Sequence, residues 1–530
     1  MTQPTASTRD STSDSTSDII VIGSGIGGLS CAALLTHYGY RVTVCESHSI
    51  PGGAAHGFER QGFKFDSGPS LYSGLSQSPS PNPLGQVLDA VGESLDWVNY
   101  DTWGCLLPEG EFDTQVGAEQ FATVLERLRG APAVAEWRAL QRLMEPYAQA
   151  AVALPVAALR PNLGALWTVG RSLPNLLPHL SALPRLTGPF SALIDPVVTD
   201  PFLRNWLQLL SFLISGLPAE GTSAAAMAFM FADWYRPNVQ LDYPRGGSAA
   251  LVAALVRAIR KSNGSQVRLS THVSQVLVDQ GRTVGVRLGN GDKLLAKVAV
   301  VANTSLWNTL KLLPQGSVPQ RFVEQRQAIP TCDSFMHLHL GIHTAGLSQE
   351  LLDGLACHYI QVNDWALGIT APQNVVLISI PSLLDPSLAP AGKHSIHAYT
   401  PGNEPFELWQ GLDPKGEAYG QLKQARSQCL WRALERIIPD IRQRCEVELV
   451  GTPLTHRRFL RRHRGSYGPA LAAGQASFPG PLMPLKNLYC CGDSTFPGIG
   501  LPAVAASGMV AAHAIAPVSQ QLKMLRQLAP

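Results

Sequence analysis

Gly23-Ser24-Gly25-Ile26-Gly27-Gly28 is a glycine-rich run with the spacing that lets a backbone approach a phosphate group. Gly23 permits a tight turn, Gly25 leaves its Cα open to a pyrophosphate, and Gly28 lets the following helix pack close on a sheet. A pyrophosphate placed there sits at a helix N-terminus, where free N–H groups and peptide dipoles favour negative charge. Glu46 follows 18 residues past Gly28. A carboxylate at that place accepts hydrogen bonds from ribose hydroxyls and disfavours a 2′-phosphate. A coincidental glycine loop is the alternative, and the context weighs against it. Residues 18–23 read as a buried strand, 29–38 as a helix ended by Gly39, and 41–46 as a second strand, a βαβ unit of about 30 residues.

The choice between dinucleotides is made further along. Gly52-Gly53 follows the second strand, and Gly62-Phe63-Lys64-Phe65-Asp66-Ser67-Gly68-Pro69 comes soon after. Near the other end, Leu488-Tyr489-Cys490-Cys491-Gly492-Asp493 reads as another buried strand that stops at Gly-Asp. After it, Pro502 and Ala503 open a helix of small residues running to Ala514. Asp493 can hold a ribityl hydroxyl, and the helix N-terminus can set its positive end at a flavin pyrimidine ring, where the reduced form is negative. A nicotinamide needs no such element from the far terminus, so the cofactor is read as FAD. The chain holds one dinucleotide fingerprint. Electrons therefore come from or go to an external partner, or the reaction is redox-neutral.

Together with Tyr243-Pro244-Arg245-Gly246-Gly247 and Arg464-Gly465-Ser466-Tyr467-Gly468, these segments resemble the carotenoid desaturase and isomerase family of FAD flavoproteins. The resemblance runs from about residue 18 to 516 and is weakest between 75 and 235. Within the family, 492–500 is most similar to the carotenoid (prolycopene) isomerases, with departures at Ile499, Leu501 and Pro502 that bear on substrate and reaction. The resemblance implies a flavin over a long apolar tunnel that takes a lipophilic polyene from a membrane. It further implies that the Val273 backbone contacts the adenine and that Arg245, Gly246 and Gly247 lie near the flavin. Two reactions follow from it: cis–trans isomerisation of a poly-cis carotene with reduced flavin, or net desaturation or saturation by hydride transfer. Polyene or partner binding without turnover is a third possibility, and amine oxidation a more remote one.

Composition agrees with a lipophilic ligand. Apolar residues make up 45% and charged residues 15%, against ~25% charged in an average soluble protein. Mean hydropathy is only +0.05, and no apolar run reads as a spanning helix. A formal charge of +2 gives no electrostatic case for nucleic acid. Nine cysteines are scattered without zinc-type or disulfide-framework spacing, which points to a reducing compartment. A cytoplasmic protein peripheral on a membrane is expected. Its candidate contact is 154–186, which is rich in Leu, Ala and Pro; its formal charges are Arg160, Arg171 and Arg185. A cap packed on its own core is the competing reading of that stretch.

Other candidates have plain readings. In the 336–343 segment, which also holds His343, alternation puts His337 and His339 on one strand face, a polar face beside the tunnel rather than a metal site. Cys490 and Cys491 are adjacent, so one at most is expected to face inward as a core thiol. Arg457, Arg458, Arg461, Arg462 and Arg464 read as a solvated or membrane-facing patch; the alternative is that one or two members approach the flavin or the polyene, because the family motif lies there.

The architecture expected is α/β. A Rossmann-like FAD domain is assembled from discontinuous segments, with an inserted mixed α+β substrate domain. Residues 1–17, with ten Ser or Thr, form a disordered leader. The FAD domain takes 18–74, 241–305 and 456–516. A substrate or membrane-facing segment spans 75–240, the substrate domain 306–455, and a tail 517–530. Within 266–303, Asn290-Gly291 between apolar alternations signals a hairpin in a small antiparallel layer.

Overall fold

The computed structural model describes residues 15–68, 71–262, 264–474 and 478–528. Ile19, Ile20 and Val21 are fully buried, as a parallel strand with helices on both faces requires. The Ser15–Ile22 strand runs parallel to Val42–Cys45 on one side and Lys293–Ala302 on the other, with Ile20 opposite Thr43 and Val300. Gln266–Arg268 pairs outside Val42–Cys45, and Leu488–Cys490 pairs with the inner end of Lys293–Ala302, both parallel. Segments from both termini and the middle therefore share one sheet.

The hairpin expected at Asn290-Gly291 forms between Arg282–Leu288 and Lys293–Ala302. It is not a separate layer. Lys293–Ala302 is long enough to carry the hairpin on its outer end and the parallel sheet on its inner end. The same length corrects the leader boundary. Ser15, Thr16 and Ser17 pair with Leu294, Leu295 and Ala296, because that outer end offers backbone groups beyond Ile19 that a strand partner satisfies. Residues 1–14 lie outside the described residues. The strand at 488–490 is covered on both sides, so both Cys490 and Cys491 are buried, contrary to the expectation of one.

A second, seven-stranded sheet forms the other lobe. Its order is Cys445–Gly451, His337–His343, Lys393–Tyr399, Val375–Ser379, His358–Val362, Thr102–Leu107, Gly110–Gln115. The last two strands come from the 75–240 segment, through a parallel pairing of Thr102–Leu107 with His358–Val362. Leu430, Leu434 and Ile437 of the Glu417–Ile437 helix pack against Leu338, Leu340 and Ile396 on one face. Alternation sends His337, His339 and His397 to the opposite face. A helical layer, including Ala131–Ala153, Pro201–Ser215 and Ala224–Trp234, packs around Trp137, Phe121 and Trp206.

Helices Ile26–His37 and Leu501–Ile515 cross over the first sheet with almost no side chain between them. A Cβ on Gly508 would lie 2.3 Å from the Gly27 carbonyl oxygen and 3.0 Å from the Cys31 amide. Because both neighbours are backbone, a methyl there forces the helices apart, and overpacking of this kind costs ~1–3 kcal/mol. Gly508→Ala is expected to lower the thermal unfolding midpoint by about 1–3 °C, measured by circular dichroism; an unchanged midpoint would show that the contact is not tight.

Candidate active site

One cavity of about 1000 Å³ runs along the C-terminal ends of the parallel strands and under the second sheet. Gly23, Gly25, Gly27, Glu46, Gly52, Gly53, Val273, Gly492 and Asp493 all line it. Open α/β sheets bind ligands at this edge, and the elongated wall suits a dinucleotide.

The glycines are required by close approach. A Cβ on Gly53 (φ 58°) would lie 2.9 Å from the Gly25 Cα, and one on Gly27 3.0 Å from the Val504 carbonyl and 3.1 Å from the Gly492 amide. Gly28 does not line the cavity; a Cβ on it would meet the Gly23 carbonyl at 2.4 Å, the helix-packing role read from the sequence. Asn303, overlooked in the sequence, is the hub. Its amide donates to the Ile22 carbonyl at 2.9 Å, and its side chain lies 2.9–3.0 Å from the Cβ positions of Gly25, Gly27, Gly28 and Gly492. The available signal was its place, directly after the Lys293–Ala302 strand in the crevice.

Glu46 lines the cavity with protein donors on both oxygens. Oε2 accepts from the Ser24 amide (2.8 Å) and hydroxyl (2.7 Å), and Oε1 from the His48 amide (2.7 Å) and the Ser47 hydroxyl (3.3 Å). Four donors use the acceptor capacity of a carboxylate, so here Glu46 ties the glycine loop to the turn after the second strand. At the far end, Asp493 Oδ2 accepts from Arg462 and Oδ1 from the Ser494 hydroxyl at 3.1 Å. Arg462 also donates to the Ser466 and Tyr467 carbonyls, both at 2.7 Å, which fastens 462–467 over the cavity. Gly500, Leu501 and Val504 line the cavity, so the N-terminus of the Leu501–Ile515 helix faces it; Pro502 and Ala503 occupy the first turn on the side turned away.

Arg245, Gly246 and Gly247 do not line the cavity. Arg245 is exposed and pairs with Asp96 at 3.2 Å, and the Gly246 amide donates to Asp385 at 2.7 Å. Gly247 (φ 71°) is needed by Asp66, whose Oδ1 would be 2.6 Å from a Cβ there. That buried carboxyl accepts from the Tyr243 hydroxyl (2.8 Å) and from the Ser248 amide (2.8 Å) and hydroxyl (2.7 Å). Burial raises its pKa above the ordinary value. The five arginines of 457–464 all line the cavity, with Arg457, Arg458 and Arg461 exposed at its rim. The patch is thus both solvated and part of the site.

Phe335, His337, Tyr399, Phe406, His456 and Tyr467 form the wall under the second sheet. His337, His397 and Tyr399 stack on one another, and His339 lies parallel to His397 with centroids 4.1 Å apart. Burial lowers the pKa of His337 and His397 well below the ordinary value and that of His339 to about 4, so these rings are neutral at pH 7. Among the described residues, no group of three or more His, Cys, Asp or Glu is arranged to hold a metal.

These residues fit FAD. A cradle without Cβ atoms lies at one wall and a helix N-terminus at the other, and the volume is at the top of the ~300–1,000 Å³ range of ligand sites. The family model for flavin containing amine oxidoreductase matches residues 26–516. The chain is 29% identical to a chloroplastic prolycopene isomerase of Arabidopsis thaliana over 94% of its length and 82% of the relative's. It is 26% identical to a phytoene desaturase of Fusarium fujikuroi over 95% and 90%. An oxidoreductase structure from Methanosarcina mazei superposes with a TM-score of 0.59 at 19% identity, covering 93% of this chain and 98% of that one, a likeness of fold.

A valine at Gly25 would put its Cβ 2.9 Å from the Asn303 amide nitrogen and its methyls across the phosphate approach. Wild-type protein is expected to be isolated yellow with one non-covalent FAD, and Gly25→Val with little or none, read from flavin absorbance after denaturation. A full complement of FAD in the variant would remove the assignment of the loop.

Proposed function

Because the chain belongs to the flavin containing amine oxidoreductase family, we propose that its cavity serves cis–trans isomerisation of a poly-cis carotene. FAD is the cofactor, and the relatives are carotenoid isomerases and desaturases. The observation that carries the reading is the wall under the second sheet. It consists of aromatic rings and imidazoles kept neutral by burial, and the carboxylate at its edge, Asp493, is already paired with Arg462. An uncharged, ring-lined wall supports a hydrocarbon substrate and offers an ammonium group no free anion.

In this reading, FAD held by the glycine cradle and the Gly492–Asp493 end would, when reduced, supply negative charge beside the polyene. The chain's own residues do the rest. Phe335, Tyr399 and Tyr467 align the polyene by ring contact and exclude water. The helix N-terminus at Gly500–Leu501 stabilises negative charge at the cofactor. Net desaturation or saturation is the second reading, supported by the phytoene desaturase relatives and by Ile499 and Leu501, which line the cavity where the sequence departs from the isomerases. It requires an external electron donor or acceptor.

Mass separates the two. Anaerobic incubation with a poly-cis carotene and reduced FAD is expected to give a product of identical mass and conjugation with trans geometry. A product two hydrogens lighter or heavier, matched by a change in flavin oxidation state, would leave the oxidoreductase reading.

Peripheral membrane contact belongs to the same proposal, since a carotene must arrive from lipid. Leu163, Leu166 and Trp167 are 85%, 76% and 72% exposed, and Leu173, Leu177 and Leu180 are exposed beside them. Single exposed apolar residues are ordinary; six within 18 residues are a patch. Arg171 and Arg185 are exposed near it. Arg160 is not available for headgroups: it is buried, donating to Gln521 (3.1 Å), the Ala516 carbonyl (3.1 Å) and Asn162 (2.7 Å). Among the described residues no helix is long and apolar enough to cross a membrane. Leu163→Ser/Trp167→Ser and Arg171→Glu/Arg185→Glu are each expected to reduce cosedimentation with anionic liposomes by about fivefold or more, given ~1 kcal/mol per cation at such a surface. Unaltered cosedimentation of both variants would count against the patch.

A further inference from the structure

The imidazoles that meet under the second sheet are of two kinds. His337 and His397 pair with each other, Nδ1 to Nε2 at 3.0 Å, and His339 Nε2 donates to the Asp66 carbonyl at 3.2 Å. Those nitrogens are turned into the protein. His56 and His456 are turned out of it: both rings are partly buried and both line the cavity.

A backbone carbonyl fixes the tautomer of each. His56 Nδ1 lies 2.8 Å from the Gly53 carbonyl oxygen, and His456 Nδ1 lies 2.8 Å from that of Gly465. A carbonyl oxygen only accepts, so Nδ1 carries the hydrogen in both rings, and a neutral ring then has its lone pair at Nε2. Ser67 Oγ, 2.9 Å from His56 Nδ1, leaves this unchanged, because its own hydrogen goes to the Ala54 carbonyl at 3.0 Å. Burial lowers both pKa values, that of His456 to about 3, so the rings are neutral at pH 7. Among the described residues no protein group bonds Nε2 of either ring. Neither nitrogen is one of the fully enclosed, unpaired polar atoms, whereas His337 Nε2 and His397 Nδ1 are. The open edge of both rings is the cavity side.

The two acceptors stand between the two ends of the cofactor site. His56 hangs from Gly53, the glycine packed on Gly25 in the phosphate cradle. His456 hangs from Gly465, in the 462–467 strap that Arg462 fastens to Asp493 at the inner end. Both lie close to His337, with His456 5.7 Å from it between ring centroids. The carboxylates at the two ends are engaged, Glu46 by Ser24, Ser47 and His48, and Asp493 by Arg462 and Ser494.

We propose that His56 and His456 hold the ribityl chain of FAD, each accepting at Nε2 a hydrogen bond from a ribityl hydroxyl. The inference concerns the cofactor and stands whichever reaction the cavity performs. With the pyrophosphate at the glycines and the flavin ring toward the helix N-terminus at Gly500, the ribityl chain is the part that crosses the middle of the cavity. Its hydroxyls are donors, and a donor taken from water into an aromatic wall is costly unless an acceptor meets it. A hydroxyl-bearing substrate offers the same O–H chemistry, and the experiment separates the two sources.

The test is a thermodynamic cycle between side chain and cofactor. Protein freed of flavin is reloaded with FAD and with analogues that each lack one ribityl hydroxyl, and dissociation constants are read from flavin fluorescence. His56→Leu and His456→Leu are each expected to weaken FAD binding about fivefold, the loss of one hydrogen bond, and each to bind one of the analogues as well as it binds FAD. His56→Gln and His456→Gln, whose amide oxygen reaches the place of Nε2, are expected to regain most of the affinity. In wild-type protein labelled with ¹⁵N, the Nε2 resonances of both rings, assigned with the Gln variants, are expected to move upfield on FAD binding, as an imidazole nitrogen does when it accepts a hydrogen bond. This measurement decides the matter even where a leucine variant fails to fold. Losses that add, with every analogue weakened equally in wild type and variants, would overturn the proposal, as would Nε2 resonances that ignore FAD. Resonances that ignore FAD but move with geranylgeraniol, a long apolar alcohol, would overturn it in favour of a substrate hydroxyl. Wild-type protein that binds no FAD would overturn the cofactor assignment itself, and this proposal with it.

Discussion

The floor of the cavity is backbone resting on backbone. A Cβ on Gly27 would meet the carbonyl of Val504 and the amide of Gly492, and one on Gly508 would meet the carbonyl of Gly27, while Asn303 sits against the inner side of the glycine loop. Few arrangements tolerate so little side-chain volume between two helices and a sheet, and the participants come from three distant parts of the chain. The phosphate cradle, the parallel sheet and the helix N-terminus at the other wall all depend on this approach, because widening it would separate the two ends of one ligand site. It also explains the discontinuous assembly: a contact between residues 27 and 508 fixes where every intervening segment must leave and return.

Charge is distributed around that floor in a graded way. Exposed arginines stand at the rim, a single carboxylate–guanidinium pair closes the inner end, and the wall beyond it is neutral. Neutrality there has a physical cause. Imidazoles on the inner face of a covered sheet lose more by desolvation than any neighbouring anion returns, since Asp66 offers them a carbonyl oxygen while its carboxyl is occupied by Tyr243 and Ser248. Asp66 thus links the two lobes, organising the start of the Ser248–Arg260 helix and, through His339, the histidine face.

The apolar stretch after residue 154 shows how one composition serves two ends. Its buried part, including Arg160 with Gln521 and His513 with the Leu159 carbonyl, locks the segment onto the C-terminal helices. Its outward part leaves leucines and a tryptophan in solvent. Proline spacing allows this division, because short pieces turn successive faces in different directions where a continuous helix would keep one.

Much of the cofactor half was legible from local pattern. The glycine loop, the βαβ context, Gly52-Gly53 and Gly492-Asp493 obey short-range rules in which a missing Cβ or a strand end carries meaning by itself, and these residues do line one cavity. Pattern alone misjudged what depends on partners far away. Strand pairing at Ser15–Ser17 required the unusual length of Lys293–Ala302, and the burial of both Cys490 and Cys491 required cover on two faces. Arg245 and Gly247 belong to the surroundings of Asp96 and Asp66 and not to the cavity lining, and Arg160 is a buried anchor. Asn303 was marked only by its place after a strand, and the pairing of His337 with His397 had no signature, because a lone Asn after a strand and alternating histidines acquire a role only through what faces them. By itself the sequence marked the glycines of the proposed cofactor cradle, since steric exclusion by a Cβ is a property of single residues; the tertiary structure decided the neutral wall, the histidine pair and the roles of the arginines, since desolvation and hydrogen-bond partnership exist only once distant segments meet.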